Sequence, residues 1–426
     1  MDQGNTTFLL VSAALVLLMT PGLAFFYGGL VKAKSVISMM MMSFGAIGLI
    51  GVLWVVYGYA IAFANPGTAT YFGIDGFFGI DTAYIGLQGL LEVPEAAAYP
   101  PLAFVAFQAM FAILTVALIS GAIADRAKFG AWLIFAGIWA TIVYFPVASW
   151  VFNFSLAEDG SFASGGWLTY GLQNIFGTGV IDFAGGTAVH INAGAAALAL
   201  AIVLGKRVGF AKGAHVPHNP PFVLLGAGLL WFGWFGFNAG SELAADGVAA
   251  LAFVNTLAAP AAALLAWLVV EKVRDGKPTS IGAASGAVAG LVAITPACAS
   301  LTPLMAILLG IVAGTLCALA IDLKFKFGFD DSLDVVGIHL VGGLIGTLFL
   351  GFFANNTGLV SSGSPNQLVV QAIAAFTVAI FSFVLAYVIG LAIEKTIGFR
   401  IKNEDEIAGI DTIVHGEEGY VLADAK

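Results

Sequence analysis

All sixteen lysines and arginines of this chain fall after alternate members of a series of long apolar runs, and that arrangement restricts the fold more tightly than any motif. Segments of about 20 apolar residues cross a bilayer as helices. Eleven runs qualify, at roughly 6–28, 36–63, 100–124, 130–153, 180–204, 221–241, 248–271, 280–298, 303–322, 335–354 and 367–394. Lys32 and Lys34 follow the first run, Arg126 and Lys128 the third, and Lys206, Arg207 and Lys212 the fifth. Lys272, Arg274 and Lys277 follow the seventh, Lys324 and Lys326 the ninth, and Lys395, Arg400, Lys402 and Lys426 the eleventh. Basic loops mark the cytoplasmic side, so the amino terminus is expected outside and the carboxyl terminus inside. The chain reads as an all-α, multi-pass protein of the cell membrane, with the lipid bilayer as its solvent.

Composition agrees. Sixty per cent of the 426 residues are hydrophobic and ten per cent charged, with mean hydropathy +0.98. A soluble domain carries roughly twice that charge fraction, so a soluble enzyme or nucleic-acid-binding protein is not expected. The start, Met1-Asp2-Gln3-Gly4, lacks the basic stretch of a signal peptide, so the first run is expected to be a retained helix. Cys298 and Cys317 sit in separate apolar runs without metal-ligand spacing and read as core thiols. Ten carboxylates (Asp2, Asp75, Asp81, Glu92, Glu95, Glu158, Asp159, Asp182, Glu242 and Asp246) fall on the outer side with no basic residue among them. Such a face draws cations towards it.

Runs one to five and six to ten form two sets, with the eleventh as an appendage. An odd number per set makes the second enter from the opposite side, the inverted-repeat plan of many transporters. Residues 1–394 then form the membrane domain, with the first half over about 6–179 and 180–204, the second over 221–354, and helix eleven at 367–394. Residues 395–426 form a cytoplasmic tail. The first run of each set carries an aromatic–glycine string that reads as an interruption, PGLAFFYGG at 21–29 and WFGWFGFNAGS at 231–241. The fifth run of each set opens with an aspartate and then carries a histidine: Asp182 before His190, and Asp334 before His339.

Those histidines are the leading functional candidates, because an ionisable residue inside the bilayer marks a pathway or a site. A helix starting near Asp182 sets His190 about 12 Å below its outer end, and the same rise sets His339 about 7–8 Å from the inner end of its helix. The two should stack along the membrane normal, and a neutral pair passes a proton with one nitrogen donating and the other accepting. Asp182 reads first as a helix cap, and Asp334 similarly. No basic residue remains inside the runs to hold an anion, whereas ring faces hold cations. Phe107, Phe111, Trp150, Phe152, Trp234 and Phe237 are the candidate rings, and Ser241 offers a hydroxyl acceptor. His215, His218 and His415 read as solvated.

These strings resemble the Amt/Mep/Rh ammonium transporters, the Amt branch most closely. DFAGGTAVH at 182–190, WFGWFGFNAGS at 231–241, DVVGIH at 334–339, FYGG at 26–29 and FQAMF at 107–111 carry the resemblance, in the same order along nearly the whole chain. It implies a homotrimer with one narrow hydrophobic pore per subunit, no cofactor and no enzymatic activity. By position, His190 and His339 resemble the twin histidines of that pore, and Asp182 the aspartate that supports ammonium recruitment. Phe111 and Phe237 resemble the stacked rings closing the pore. Phe107 and Ser241 resemble parts of the outer cation site, and Trp234 a pore-wall ring. One position departs: where the family usually has a tryptophan, ASWVF supplies Phe152, and the following loop is long. Trp150 and Trp167 are the candidates to replace it.

The resulting expectation is a transporter that recruits ammonium (or its analogue methylammonium) at the outer aromatic site, deprotonates it, and conducts ammonia past the histidines. Three rivals stand beside it: a Rh-like channel for neutral gas, a bis-histidine haem electron carrier, and an ammonium sensor acting through a partner. The tail has too few apolar residues to fold alone. Its glycines at 409, 416 and 419 and the cluster Ile410, Ile413, Val414 and Tyr420 suit docking on a preformed surface. The resemblance implies that this surface is the cytoplasmic face, where PII-type signalling proteins can bind.

Overall fold

The computed structural model describes residues 1–64, 71–74, 76–95, 97–156, 160–210 and 216–420. Asp75, Glu158, Asp159, Lys212, His215 and Lys426, all used in the sequence reading, lie outside the described residues. Among those described, ten helices are long and apolar enough to cross a membrane. They are α1 (Gln3–Leu30), α2 (Ala33–Ala62), α3 (Pro101–Ile123), α4 (Phe129–Phe152), α5 (Gly186–Leu204), α6 (Pro220–Glu242), α7 (Gly247–Arg274), α9 (Pro303–Phe327), α10 (Val336–Phe353) and α11 (Asn366–Thr396). Between α7 and α9, the apolar helix α8 (Ser280–Ile294) has 15 residues, about 22 Å of rise against a core of about 30 Å. The run read as 280–298 ends early because Thr295 and Pro296 begin a turn.

The aromatic–glycine strings do not interrupt their helices. Both α1 and α6 are continuous, and their glycines serve contact between them. A Cβ on Gly226 would stand 2.2 Å from the backbone nitrogen of Phe26, and one on Gly236 2.8 Å from the carbonyl oxygen of Ser12. Without side chains the two backbones close up, as small residues allow in lipid-facing helices. The histidine-bearing helices use the same device. A Cβ on Gly194 of α5 would meet the Leu340 nitrogen of α10 at 2.5 Å.

Two small antiparallel hairpins cover the end at which α1 begins, here the N-face. β1 (Tyr71–Ile74) pairs with β2 (Phe78–Asp81), and β3 (Phe154–Leu156) with β4 (Phe162–Gly165). The sequence reading left both segments as loops. The second hairpin is fixed in place: the Gln173 side chain accepts from the Phe162 N–H and donates to the Phe162 carbonyl, at 3.0 and 2.9 Å.

At the opposite end the tail lies docked, with short helices α12 (Asn403–Ala408) and α13 (Ile410–His415). The Asp411 carboxylate accepts the backbone N–H groups of Ile37 and Ser38, at 3.0 and 2.7 Å, at the start of α2. Lys34 donates to the Ile407 carbonyl. His218 and His415 are not free in solvent. The His218 ring bonds the Val31 carbonyl and the Tyr420 hydroxyl, each at 2.8 Å, and His415 packs on the Phe129 ring.

Two of the basic residues that marked the cytoplasmic loops are buried. Arg207 pairs with Asp330 and Asp125 at 2.9 Å, and Arg126 donates to the Asp330 carbonyl and the Ser332 hydroxyl at 2.6 and 2.5 Å. Burial lowers the Arg126 guanidinium to about 10. This buried ion cluster ties the α3–α4 and α5–α6 connections to the segment before α10.

Candidate functional site

α5 begins with a wide π-type turn, Gly186–Ile191, and α10 with another, Val336–Leu340. Such turns cluster at functional sites because they re-aim side chains out of the regular ladder. His190 and His339 lie on these turns, four and three residues into their helices. The expected depth of His190 was counted from Asp182. The helix starts later because Gly185 adopts φ +113°, a left-handed conformation that ends the preceding extended segment.

Asp182 fixes that start. Its carboxylate accepts four backbone N–H groups, from Gly185, Gly186, Thr187 and Ala188, at 2.5–3.0 Å. Before α10 the corresponding carboxylate is Asp331, not Asp334. Asp331 accepts from the Val335 and Val336 N–H groups at 3.1 and 2.7 Å, whereas Asp334 pairs with Lys324 at 2.6 Å. Burial, then the neighbouring Asp334, raises the Asp331 carboxyl above the ordinary range. The missed signal was in the spacing: Asp331 precedes His339 by eight residues, as Asp182 precedes His190.

α5 and α10 run antiparallel, with the Thr187 and Thr347 hydroxyls 3.5 Å apart and Gly343 against His190. The backbone positions of the two histidines are therefore staggered along the axis by about one helical turn (~6 Å), and their side chains lean towards each other. Their Nδ1 atoms are 3.2 Å apart and the rings lie 5.3 Å centroid to centroid, 25° from parallel. Both are buried, and His190 Nε2 has no partner among the described residues. One Nδ1 donates and the other accepts, so the two rings hold opposite tautomers at this contact.

Aromatic rings flank the histidine pair and extend the column towards the N-face through Phe237 and Phe111. Trp234 stacks on His190 at 5.4 Å and is held by an Nε1–H bond to the Thr295 hydroxyl, 2.8 Å long. Phe237 lies above, 6.2 Å from His190, and stacks on Phe111 at 4.1 Å and 25°. Phe111 also meets Phe107 edge-on at 4.9 Å and Phe152 at 6.3 Å.

Above this pair opens a cavity of about 370 Å³ on the N-face, lined among others by Phe111, Phe152, Asp182 and Ser241. The Ser241 hydroxyl lines the cavity and donates to the Phe237 carbonyl at 2.8 Å, so its oxygen can still accept a hydrogen bond. Phe107 is fully buried behind Phe111 and is not part of the lining. Neither Trp150 nor Trp167 reaches the cavity. Trp150 is buried, donates to the Phe77 carbonyl at 2.5 Å, and packs on Phe77, Trp167 and Phe381. What the sequence reading missed here is the hairpin, whose Phe154, Leu156 and Phe162 line the cavity.

Comparison with known proteins gives the family of the chain. The sequence model of the Ammonium Transporter Family matches residues 7–420. An ammonium transporter of Mycobacterium tuberculosis is 54% identical, over 100% of this chain and 92% of that protein. One of Bacillus subtilis is 43% identical, over 99% of each. Among solved structures, Mep2 of Candida albicans superposes with TM-score 0.82 at 31% identity, covering 95% of this chain and 88% of that one. A structure described as a sensor Amt protein superposes with TM-score 0.86 at 28% identity, covering 97% and 98%. With the match unbroken from the first helix to the docked tail, the chain is a multi-pass membrane protein of the ammonium transporter family.

Proposed function

We propose that this protein transports ammonium across the cell membrane through a pore between α5 and α10. The observation that carries the reading is the His190–His339 contact: two buried imidazoles 3.2 Å apart beneath a stacked phenylalanine pair. The basic loops make the N-face the outer one. Ammonium, drawn by the carboxylates there, is recruited at the Phe152, Phe111 and Ser241 site, with Asp182 beneath it as buried negative charge. It passes the Phe111–Phe237 pair only after shedding water, and gives up its proton before or at His190. His190 Nε2, without a partner among the described residues, is available to a small hydrogen-bonding solute, and the Nδ1 contact offers the proton a path to His339. Ammonia then follows the apolar pore past Trp234. Potassium has no proton to lose and would be rejected.

Eleven spans in an inverted 5+5 repeat, with α8 as the eighth, suit the odd-numbered placement of basic loops. The equal spacing from Asp182 to His190 and from Asp331 to His339 supports that repeat. We also carry the homotrimer and a PII-type regulator at the tail face as part of the reading.

Direct hydrogen-bond distance between the two Nδ1 atoms argues against the haem reading, since a macrocycle does not fit between them. A sensor reading has the sensor Amt neighbour in its favour, at lower identity than the curated transporters. Ammonium-evoked current in proteoliposomes separates these: a current is expected for transport, and none for a neutral-gas channel or for a sensor that conducts nothing.

A further inference from the structure

We infer that the outer cavity is also a receptor for bulky quaternary ammonium ions, which bind there and block instead of passing. This rests on the transport reading of the same cavity. Ammonium is about the size of a water, whose share of liquid volume is about 30 Å³. The cavity, at about 370 Å³, is an order of magnitude larger and falls in the size range of organic-ligand sites.

Its walls suit one chemistry. Phe111 and Phe152 come from the helices, while Phe154, Leu156 and Phe162 come from the β3–β4 hairpin. Phe154 and Phe162 meet edge-on at 5.0 Å, so their faces and edges form a corner opposite the helix rings. Asp182 and Glu242 are on the same wall, and no lysine or arginine lines it among the described residues. Rings around an apolar-shelled cation, with carboxylates nearby, make the aromatic cage that recognises quaternary ammonium groups.

The hairpin is built to stay. Besides the Gln173 clamp, Phe162 packs over Gly179, where a Cβ would stand 2.5 Å from its ring. The Asn153 side chain donates to the Ala64 carbonyl at 2.7 Å, and the Gly166 N–H to the Asn153 carbonyl at 2.9 Å. Exit past Phe111 and Phe237 is closed to such an ion, because those rings stack at 4.1 Å and a quaternary nitrogen has no proton to give up.

Tetramethylammonium chloride is the probe. Calorimetric titration of the detergent-solubilised protein should show binding, and the same salt should inhibit ammonium-evoked current in proteoliposomes without producing current alone. Phe162→Leu keeps apolar bulk but removes the ring; it should raise both the dissociation constant and the half-blocking concentration about fivefold, more than it changes the ammonium half-saturation. Phe162→Ala should act in the same direction. Ser155→Ala, whose hydroxyl meets Ser164 on the exposed hairpin, should change neither. No binding by the wild type, block that both Phe162 variants leave intact, or a tetramethylammonium current would each overturn the inference. A wild type without ammonium current counts against the transport reading instead, and the calorimetric arm then decides the receptor by itself.

Discussion

Asp182 and Asp331 hold equivalent places: each stands eight residues before one of the contacting histidines, and each carboxylate accepts N–H groups from the turn that starts its helix. Three residues after each, the backbone turns left-handed, at Gly185 with φ +113° and at Asp334 with φ +63°. The carboxylates thus set where α5 and α10 begin, and through that the heights at which the imidazoles meet.

Removing the first should cost more than removing the second. Asp182→Ala leaves four buried donors without their acceptor, against two for Asp331→Ala. A lost cap costs about 0.5–2 kcal/mol and a stranded buried donor about 1–3 kcal/mol. Melting in detergent should rank wild type above Asp331→Ala above Asp182→Ala. The opposite order for the two variants would show that the caps do not set local stability.

The buried ion cluster predicts a pH dependence. Burial pushes the Asp330 carboxyl up, but the Arg207 hydrogen bonds and the charges of Arg126 and Arg207 outweigh it and hold it below the usual range. A depressed carboxylate contributes stability above its unfolded pKa of about 3.9 and loses it as pH falls through the lower, folded value. Asp330→Ala, which takes three hydrogen bonds from Arg207 and leaves it paired with Asp125, should cost about 3–5 kcal/mol near neutrality. Its deficit against wild type should shrink only under acid conditions, below about pH 4. A deficit that is the same at every pH would contradict the pairing.

Cysteine labelling tests the orientation. Gly76, Gly276 and Gly363 all have open surroundings, with no atom nearer than 3.6 Å to an added Cβ, and Cys298 and Cys317 are fully buried. An impermeant thiol reagent applied outside should therefore label Gly76→Cys and Gly363→Cys but neither Gly276→Cys nor the wild type. The reverse pattern would invert the membrane orientation.

The docked tail makes a further prediction. Gly409 has φ +130°, and a Cβ there would press the Lys34 side chain at 3.1 Å, so Gly409→Asp should undock the segment that carries Asp411. That variant, and deletion of residues 403–426, should leave folded protein with strongly reduced transport. Wild-type transport rates in the truncated protein would make the tail a passive appendage.

The helices and the histidine pair were legible because a bilayer imposes long apolar runs, and because an imidazole inside one is conspicuous. Asp331 was not, since Asp334 sits nearer to His339 and reads as the cap; only the shared spacing of eight points past it. The glycines of the 21–29 and 231–241 strings were visible, but whether a glycine breaks a helix or brings two together depends on what packs against it, here α1 on α6. The β3–β4 hairpin left little signal, as strands of three and four residues are too short to show an alternation. The replacement of the usual tryptophan was read locally, from Trp150 and Trp167. The cavity wall is completed instead by Phe154 and Phe162, two and ten residues beyond the end of α4.

The central claim is that His190 and His339 together carry selectivity for ammonium. Its most direct test is current in proteoliposomes, with ammonium and potassium gradients applied in turn to wild type, His190→Ala and His339→Ala. The wild type should pass current with ammonium and none with potassium, while each variant should lose ammonium current or admit potassium. Ammonium current and potassium rejection that survive unchanged in both variants would contradict the account.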